Sequence, residues 1–174
     1  MVIWITGISG AGKTTLGKFF FKNFKKVYPN TIFFDGDKFR KIFKNDLKYT
    51  LKDRNINALR LTRLVKYLSN QKINIVISAN ITTYSFRIWN RKNIKNYFEI
   101  YIDCKKNILK LRDYKNLYKN ISQKKIKDVV GIDIPFNKPK GCNLYLTNNK
   151  SKKNLEQKYY KILELLNKKK VKIF

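Results

Sequence analysis

Short unbroken apolar runs alternate along this chain with longer stretches in which apolar residues recur at helical spacing. The runs predict buried strands, and the longer period predicts amphipathic helices. Strands are predicted at Val2–Thr6, Thr31–Phe34, Ile73–Ala79, Phe98–Asp103 and Leu144–Thr147. Helices are predicted at Lys13–Val27, Asp53–Asn70, Tyr84–Asn96, Lys105–Tyr118 and Lys152–Lys169. Because strands that alternate with helices form parallel sheets, the pattern predicts an α/β fold with a parallel five-stranded sheet.

The organisation of the chain predicts a single domain over residues 1–174. It has no internal repeat and no linker rich in Pro, Gly or Ser. No apolar run approaches the ~18 residues of a membrane span, and the N-terminus lacks the features of a secretion signal. The cysteines, Cys104 and Cys142, lie far apart, which favours free thiols in a reducing compartment. We therefore expect a cytoplasmic protein without a membrane partner.

The clearest motif is a glycine-rich loop. Residues 7–14 are Gly-Ile-Ser-Gly-Ala-Gly-Lys-Thr, a full match to G-x-x-x-x-G-K-[ST] between a predicted strand and a predicted helix. The glycines let backbone N–H groups surround a polyphosphate, and the helix N-terminus adds its positive end. Lys13 would bridge the β- and γ-phosphates, and the Thr14 hydroxyl would bind Mg²⁺. The motif predicts a P-loop NTPase-type three-layer αβα sandwich that binds a nucleoside triphosphate.

Two carboxylates follow the second predicted strand, one glycine apart. Asp35 and Asp37 lie at the carboxyl edge of the sheet, where parallel α/β proteins bind ligands. The chain has no histidine, so a general base must come from a carboxylate or, less readily, from a perturbed Lys or Tyr. One aspartate could take a proton from an attacking hydroxyl while Arg40 binds an acceptor phosphate. The alternative is a helix cap beside a surface arginine, and Asp103 is a rival magnesium carboxylate.

The charge of the chain is strongly unbalanced. Lys and Arg total 40 against 11 Asp and Glu, a net charge of +29, which at this size is typical of nucleic-acid or membrane binding. Of the 40, 33 are lysine, and Lys, Asn, Ile and Phe are all residues that AT-rich codons encode. We therefore favour genome composition as the cause, with lysines on solvated faces and nucleic acid not expected as a partner. The alternative is a basic nucleotide-switch or RNA-binding protein, with bases stacked on Tyr114, Tyr118, Tyr159 and Tyr160.

Six segments resemble, in order, the motifs of the adenylylsulfate kinase family, almost from end to end. They are Trp4–Thr15 for the opening phosphate loop, Asp35–Arg40 for D-G-D-x-x-R, Asp53–Arg60 for D-R-x-E-N-I-R-R, Ile81–Tyr84 for I-S-P-Y, Arg112–Tyr118 for R-D-x-K-G-L-Y, and Gly131–Phe136 for G-I-D-x-P-Y/F. One such segment alone would be weak evidence, but six in the right order are not expected by chance.

The resemblance implies that the protein phosphorylates the ribose 3′-hydroxyl of an activated nucleotide, with ATP as donor and Mg²⁺ as cofactor. Asp37 would be the base or hydroxyl-orienting group, with Lys13 and Asp35 as the other catalytic residues and Thr14 and Asp35 beside the metal. The implied ATP-binding residues are Gly7, Ser9, Gly10, Ala11, Gly12, Lys13, Thr14, Thr15, Arg112 and Lys115. The implied acceptor-binding residues are Asp37, Arg40, Tyr49, Arg54, Asn57, Thr82 and Lys115. Arg112 and Lys115 would lie in a small lid over residues 105–130.

The acceptor side departs from the family pattern. Ile56 and Leu59 replace a Glu and an Arg, Thr82 and Thr83 replace Ser-Pro, and Asn116 replaces the lid Gly. Short members of this kind resemble capsule-modification kinases that phosphorylate the ribose of cytidine diphosphoramidate, which is the favoured acceptor; adenylylsulfate is the alternative. Family members are often dimers, so a homodimer is one expectation, although the chain begins at the first strand without the family's usual N-terminal segment.

Overall fold

The computed structural model describes residues 1–113, 116–123, 126–169 and 173. Its centre is a parallel sheet of five strands in the order β2-β3-β1-β4-β5. The strands are β1 (Val2–Thr6), β2 (Thr31–Asp35), β3 (Asn74–Ser78), β4 (Tyr97–Asp103) and β5 (Leu144–Thr147). The predicted α/β fold with a parallel five-stranded sheet is therefore confirmed.

Seven helices connect or follow these strands in the described part of the chain. They are α1 (Lys13–Val27), α2 (Gly36–Ile42), α3 (Leu51–Asn70), α4 (Tyr84–Asn93), α5 (Lys106–Arg112), α6 (Leu117–Ser122) and α7 (Lys152–Lys168). None of them, within the residues described, has the length and apolar character that crossing a lipid bilayer requires.

The side chains of β1 alternate between two apolar cores. Ile3 and Ile5 pack in the larger core with residues of α1, α5 and α7, whereas Val2 and Trp4 pack in the smaller core with residues of α2 and α3. All five residues of β1 are buried, as expected for a strand whose sheet is covered by helices on both faces. The sheet thus forms the middle of the predicted three-layer sandwich.

One helix was not predicted from the sequence, and another is clearly shorter than predicted. The short helix α2 was not predicted, because seven residues are too few for a clear period; its N-cap Asp35 accepts hydrogen bonds from the backbone N–H of Asp37 and Lys38. Helix α4 ends at Asn93 instead of continuing to residue 96. Asn96 has a left-handed conformation, with φ of 53°, and turns the chain into β4.

The single irregular helix predicted at Lys105–Tyr118 is wrong, because the segment holds two helices, α5 and α6. Between them Asp113 and Asn116 have positive φ angles of 28° and 53°, which an α-helix does not accept. The Asp113 carboxylate then accepts a hydrogen bond from the backbone N–H of Tyr118 at 2.6 Å, near the start of α6. This break falls inside the predicted lid.

Candidate active site

A cavity of about 1330 Å³ lies at the carboxyl edge of the sheet and brings together most of the predicted site residues. Those that line it are Ser9, Gly10, Gly12, Lys13, Thr14, Thr15, Asp35, Asp37, Arg40, Tyr49, Arg54, Asn57, Thr82 and Arg112. Gly7 and Ala11 belong to the same glycine-rich loop but are buried behind its surface. Lys115 lies outside the described residues, so its role stays a prediction.

The glycine-rich loop is packed so closely that two of its glycines cannot be replaced without displacing a neighbour. A Cβ on Gly7 would lie 2.5 Å from the carbonyl oxygen of Ile102. Gly12, at φ of 101°, would place its Cβ 2.6 Å from the Nδ2 atom of Asn148. Because α1 begins directly after this loop, its N-terminus lies in the cavity wall, and the positive end of the helix favours an anion there.

The Thr14 hydroxyl donates a hydrogen bond of 2.8 Å to Oδ2 of Asp35. The other carboxylate oxygen of Asp35 caps α2, accepting from the backbone N–H of Asp37 at 3.0 Å. The two side chains therefore present hard oxygen atoms side by side, the ligand type that Mg²⁺ prefers. No group of three or more Asp, Glu or Cys side chains clusters in the described part of the chain, so an ion here would complete its shell with phosphate oxygens and water.

Asp37 lies in the first turn of α2 and its side chain is exposed to the cavity. Arg54 is the nearby cation that it influences. Burial lowers the pKa of the Arg54 guanidinium, and the proximity of Arg40 lowers it further, whereas Asp37 acts in the opposite direction. The Asp37 carboxylate and the Arg54 guanidinium thus lie close enough in the cavity wall for their charges to interact.

The ring of Tyr49 contacts two arginines, Arg40 and Arg54. Its ring centroid lies 4.8 Å from the guanidinium carbon of Arg40 and 5.2 Å from that of Arg54, distances typical of cation–π contacts. Arg40 is 7% exposed and donates to the backbone carbonyl of Lys48 at 3.1 Å, which holds the loop that carries Tyr49. Tyr49 keeps 50% of its surface exposed, so an aromatic surface remains open to a ligand.

Arg54 also connects this loop to the far side of the cavity. Its Nε donates to the carbonyl of Tyr49 at 2.7 Å, and its Nη2 donates to the carbonyl of Asp128 at 2.8 Å. Asn57, one turn further along α3, and Thr82 are both buried and complete this wall. The predicted acceptor residues in the described chain thus all line the same cavity.

Arg112 and Asp103, two further residues singled out from the sequence, form hydrogen bonds within the protein. Arg112 lies at the end of α5 and donates to the backbone carbonyl of Lys150 at 2.8 Å. Asp103 does not line the cavity. Its carboxylate accepts hydrogen bonds from Tyr101, Tyr145 and Lys138 instead. This environment does not support Asp103 as the magnesium carboxylate.

Sequence reasoning missed Asn148, which follows β5 and lines the cavity. It is buried and its Nδ2 donates to the carbonyl of Ala11 at 2.8 Å, so it holds the glycine-rich loop against the end of β5. Its position directly after the fifth predicted strand, at the same edge as Asp35, was the available signal.

Comparison with known proteins identifies the family. The model of the adenylylsulphate kinase family matches residues 1–147. The chain belongs to the adenylylsulfate kinase family. It is therefore a kinase, a phosphotransferase that acts on a hydroxyl group, and the family and enzyme class predicted from the sequence are confirmed.

Individual members of the family differ in their acceptor. The chain is 38% identical to cytidine diphosphoramidate kinase of Campylobacter jejuni over 95% of both chains. It is 33% identical to adenylyl-sulfate kinase of Buchnera aphidicola from Acyrthosiphon pisum, over 94% of this chain and 80% of that one. Among solved structures, the adenylylsulfate kinase of Mycobacterium tuberculosis in complex with AMPPNP and APS matches with a TM-score of 0.83 and 26% identity, covering 95% of this chain and 96% of that one.

Proposed function

We propose that this kinase transfers the γ-phosphoryl group of magnesium-bound ATP to the ribose 3′-hydroxyl of an activated nucleotide. The observation that carries the proposal is the single cavity in which the glycine-rich loop and the surface formed by Arg40, Tyr49, Arg54 and Asn57 meet, with Asp37 also in the wall. A phosphate-binding loop alone would not distinguish a kinase from a nucleotide hydrolase. The second, cationic and aromatic surface provides a place for an acceptor nucleotide.

The donor half of the site stabilises negative charge. Lys13 reaches over the loop, where its ammonium donates to the carbonyl of Ile8 at 3.0 Å, and it would turn to the β- and γ-phosphates when ATP is bound. Thr14 and Asp35 are the residues that would hold Mg²⁺, which supplies charge neutralisation of the phosphates. The residues of the loop thus position the γ-phosphoryl group and stabilise the charge that develops on it.

Asp37 is the residue proposed to handle the proton. Its carboxylate would accept the hydrogen of the ribose hydroxyl as the oxygen forms its new bond to the γ-phosphorus, while the bond from that phosphorus to the β,γ-bridging oxygen breaks and ADP leaves. Asp35 is less suited to this step, because both of its oxygen atoms already accept hydrogen bonds from Thr14 and from α2.

For the acceptor we propose a cytidine nucleotide with a phosphoramidate group, that is, cytidine diphosphoramidate, as used in capsule modification. The similarity to the Campylobacter jejuni kinase over almost the whole of both chains supports this choice. Among the residues that differ from the family motifs, Thr82 lines the cavity. Leu59, in contrast, is on the exposed face of α3. The Thr83 hydroxyl donates to Asn55, a contact that the family's proline at this position could not make.

Adenylylsulfate is the second candidate acceptor. The similarity to the Buchnera aphidicola kinase supports it, and so does the fold shared with the Mycobacterium tuberculosis kinase. Both candidate acceptors have a ribose and a charged 5′ group, so Asp37, Arg40 and Arg54 could serve either.

The reaction class is tested by measuring ADP release from magnesium-bound ATP with and without each acceptor, and by locating the new phosphate with ³¹P NMR. Lys13→Ala should lower turnover by roughly 10²–10³-fold, because it removes a cation from the transferring phosphoryl group. The matched control is Lys25→Ala on the exposed face of the same helix, which should keep wild-type turnover. Acceptor-independent ADP release, or near-normal turnover of Lys13→Ala, would contradict the proposal.

A further inference from the structure

Arg87, in α4, is a fully buried arginine outside the cavity wall. A buried guanidinium group is costly unless its charge and its N–H groups are matched, so its contacts need an explanation. The carboxylate of Glu99 on β4, whose side chain is also 0% exposed, lies 3.8 Å from Arg87 Nε. Burial lowers the pKa of Arg87, and Glu99 opposes that shift.

The two outer nitrogens of Arg87 hold two separate backbone segments. Nη2 donates to the carbonyl of Ile81 at 2.5 Å, and Nη1 donates to the carbonyl of Asn137 at 2.8 Å. The guanidinium carbon also lies 5.4 Å from the centroid of the Phe136 ring. Ile81 directly precedes Thr82 in the cavity wall, and Asn137 lies in the irregular segment that follows Val130, another residue of that wall.

We propose that Arg87 is a positioning residue that fixes the acceptor side of the cavity by joining the Ile81–Thr82 segment to the segment around Asn137. The planar guanidinium group can hold two carbonyls at once, whereas a lysine ammonium at the same place can reach one of them at most. The inference rests on the proposed function, because it assigns Thr82 to the acceptor side. It predicts that the acceptor, and not ATP, depends on Arg87.

Arg91 provides a matched control. It lies one turn along the same helix and pairs with the same Glu99, from its Nη2 to Oε2 at 2.5 Å. Its Nη1 donates to the carbonyl of Lys140 at 2.8 Å, so its contacts in the structure do not include Ile81 or Asn137. Arg87→Lys and Arg91→Lys thus make the same chemical change to two arginines of one ion-pair cluster.

The experiment compares steady-state kinetics of both variants with those of the wild type, using the acceptor that the wild type turns over. For Arg87→Lys we expect KM for the acceptor to rise by at least about tenfold, with KM for ATP within about twofold of wild type. Arg91→Lys should leave both KM values within about twofold. Equal effects of the two variants, or an equal rise in both KM values for Arg87→Lys, would overturn the proposal.

Hydrogen exchange separates this proposal from the proposed function, because it needs no acceptor. Amides of residues 79–83 should exchange at least about tenfold faster in Arg87→Lys than in Arg91→Lys. Unchanged exchange in Arg87→Lys overturns the coupling, whatever the enzyme phosphorylates. Faster exchange with no turnover of any nucleotide by the wild type would instead count against the proposed function alone.

If Arg87→Lys does not fold, the double variant Arg87→Met/Glu99→Gln replaces it, because it removes both charges of the fully buried Arg87–Glu99 pair together. Its control is Glu99→Gln, which keeps both bonds from Arg87 to the backbone carbonyls. Only the double variant should show the higher acceptor KM and the faster exchange. The same values in the double variant and its control would overturn the proposal.

Discussion

Asp35 and Asp37 are one glycine apart, and their surroundings give them different chemistry. The Asp35 carboxylate accepts hydrogen bonds from Thr14 and from the backbone N–H groups at the start of α2. Asp37 is exposed to the cavity and influences the pKa of Arg54. The contacts of Asp35 therefore agree with its proposed place beside the metal, and the exposure of Asp37 agrees with its proposed contact with the acceptor hydroxyl.

This difference gives a prediction at the scale of single residues. Asp37→Asn keeps the shape of the side chain and removes its ability to accept a proton, so kcat should fall by roughly 10²–10⁴-fold. The affinity for ATP, measured by equilibrium titration, should stay close to wild type. Asp35→Asn is the comparison, and it should weaken nucleotide binding in the presence of Mg²⁺ and destabilise the cap of α2 by about 1 kcal/mol. A crippled kcat in Asp35→Asn with normal kcat in Asp37→Asn would reverse the two roles.

The sequence predicted these residues because motif spacing determines which side chains reach the carboxyl edge of the sheet. It did not predict that Tyr49 would contact both Arg40 and Arg54, since that contact depends on how the loop before α3 folds back. The role of Arg87 was equally hidden. A single arginine within a helical pattern carries no sign of burial, and its partners lie at residues 81, 99 and 137.

At the scale of elements, β4 presents a row of polar side chains to the layer of α4. Glu99 pairs with Arg87 and Arg91, and four residues further along the strand Asp103 accepts hydrogen bonds from Tyr101 and Lys138 at 3.0 and 3.2 Å. Glu99 thus holds α4 against the sheet, and Asp103 holds Lys138, in the segment that follows the predicted lid, against the end of β4.

Asp103 gives a prediction of pH dependence for this element. Burial alone would raise the pKa of Asp103, but hydrogen bonds from Tyr145, Tyr101 and Lys138 outweigh it and hold the pKa below the ordinary 3.8. A carboxyl group with a lowered pKa in the folded state stabilises the fold above its ordinary pKa, and that contribution is lost as the pH falls through the lower value. Asp103→Asn should therefore reduce the free energy of unfolding by about 1–2 kcal/mol at pH 7 and by less in strong acid.

The measurement is urea unfolding of wild type and Asp103→Asn at neutral pH and below pH 3.8. An equal difference at both pH values would contradict the assigned cause. Turnover of the variant at pH 7 should match wild type, because Asp103 lies outside the cavity wall. A loss comparable with that of Asp37→Asn would restore Asp103 as a magnesium carboxylate.

Elements with a long clear period were predicted well, and those set by local capping were not. The bounds of β1 and α1 match the prediction, since a buried strand and a long amphipathic helix have strong patterns. Helix α2 depends on the cap from Asp35, and the break between α5 and α6 depends on the backbone at Asp113 and Asn116. Neither feature can be predicted from hydrophobic periodicity.

At the scale of the whole molecule, the fold brings the glycine-rich loop and the proposed acceptor residues into one cavity at one edge of the sheet. The net charge of +29 favours the approach of anionic substrates in general, but an overall positive charge does not discriminate between nucleotides. Selection must come from the groups that line the cavity, where Tyr49 can stack on any base and polar contacts must discriminate.

The central claim is the choice of acceptor, and one measurement tests it most directly. The kcat/KM values for cytidine diphosphoramidate and adenylylsulfate are compared at saturating magnesium-bound ATP, with the phosphate located by ³¹P NMR. We predict that the cytidine nucleotide is preferred by at least about tenfold, or ~1.4 kcal/mol of transition-state binding, with phosphate on the ribose 3′-hydroxyl. Faster turnover of adenylylsulfate, or a product phosphorylated anywhere but the ribose, would contradict the account.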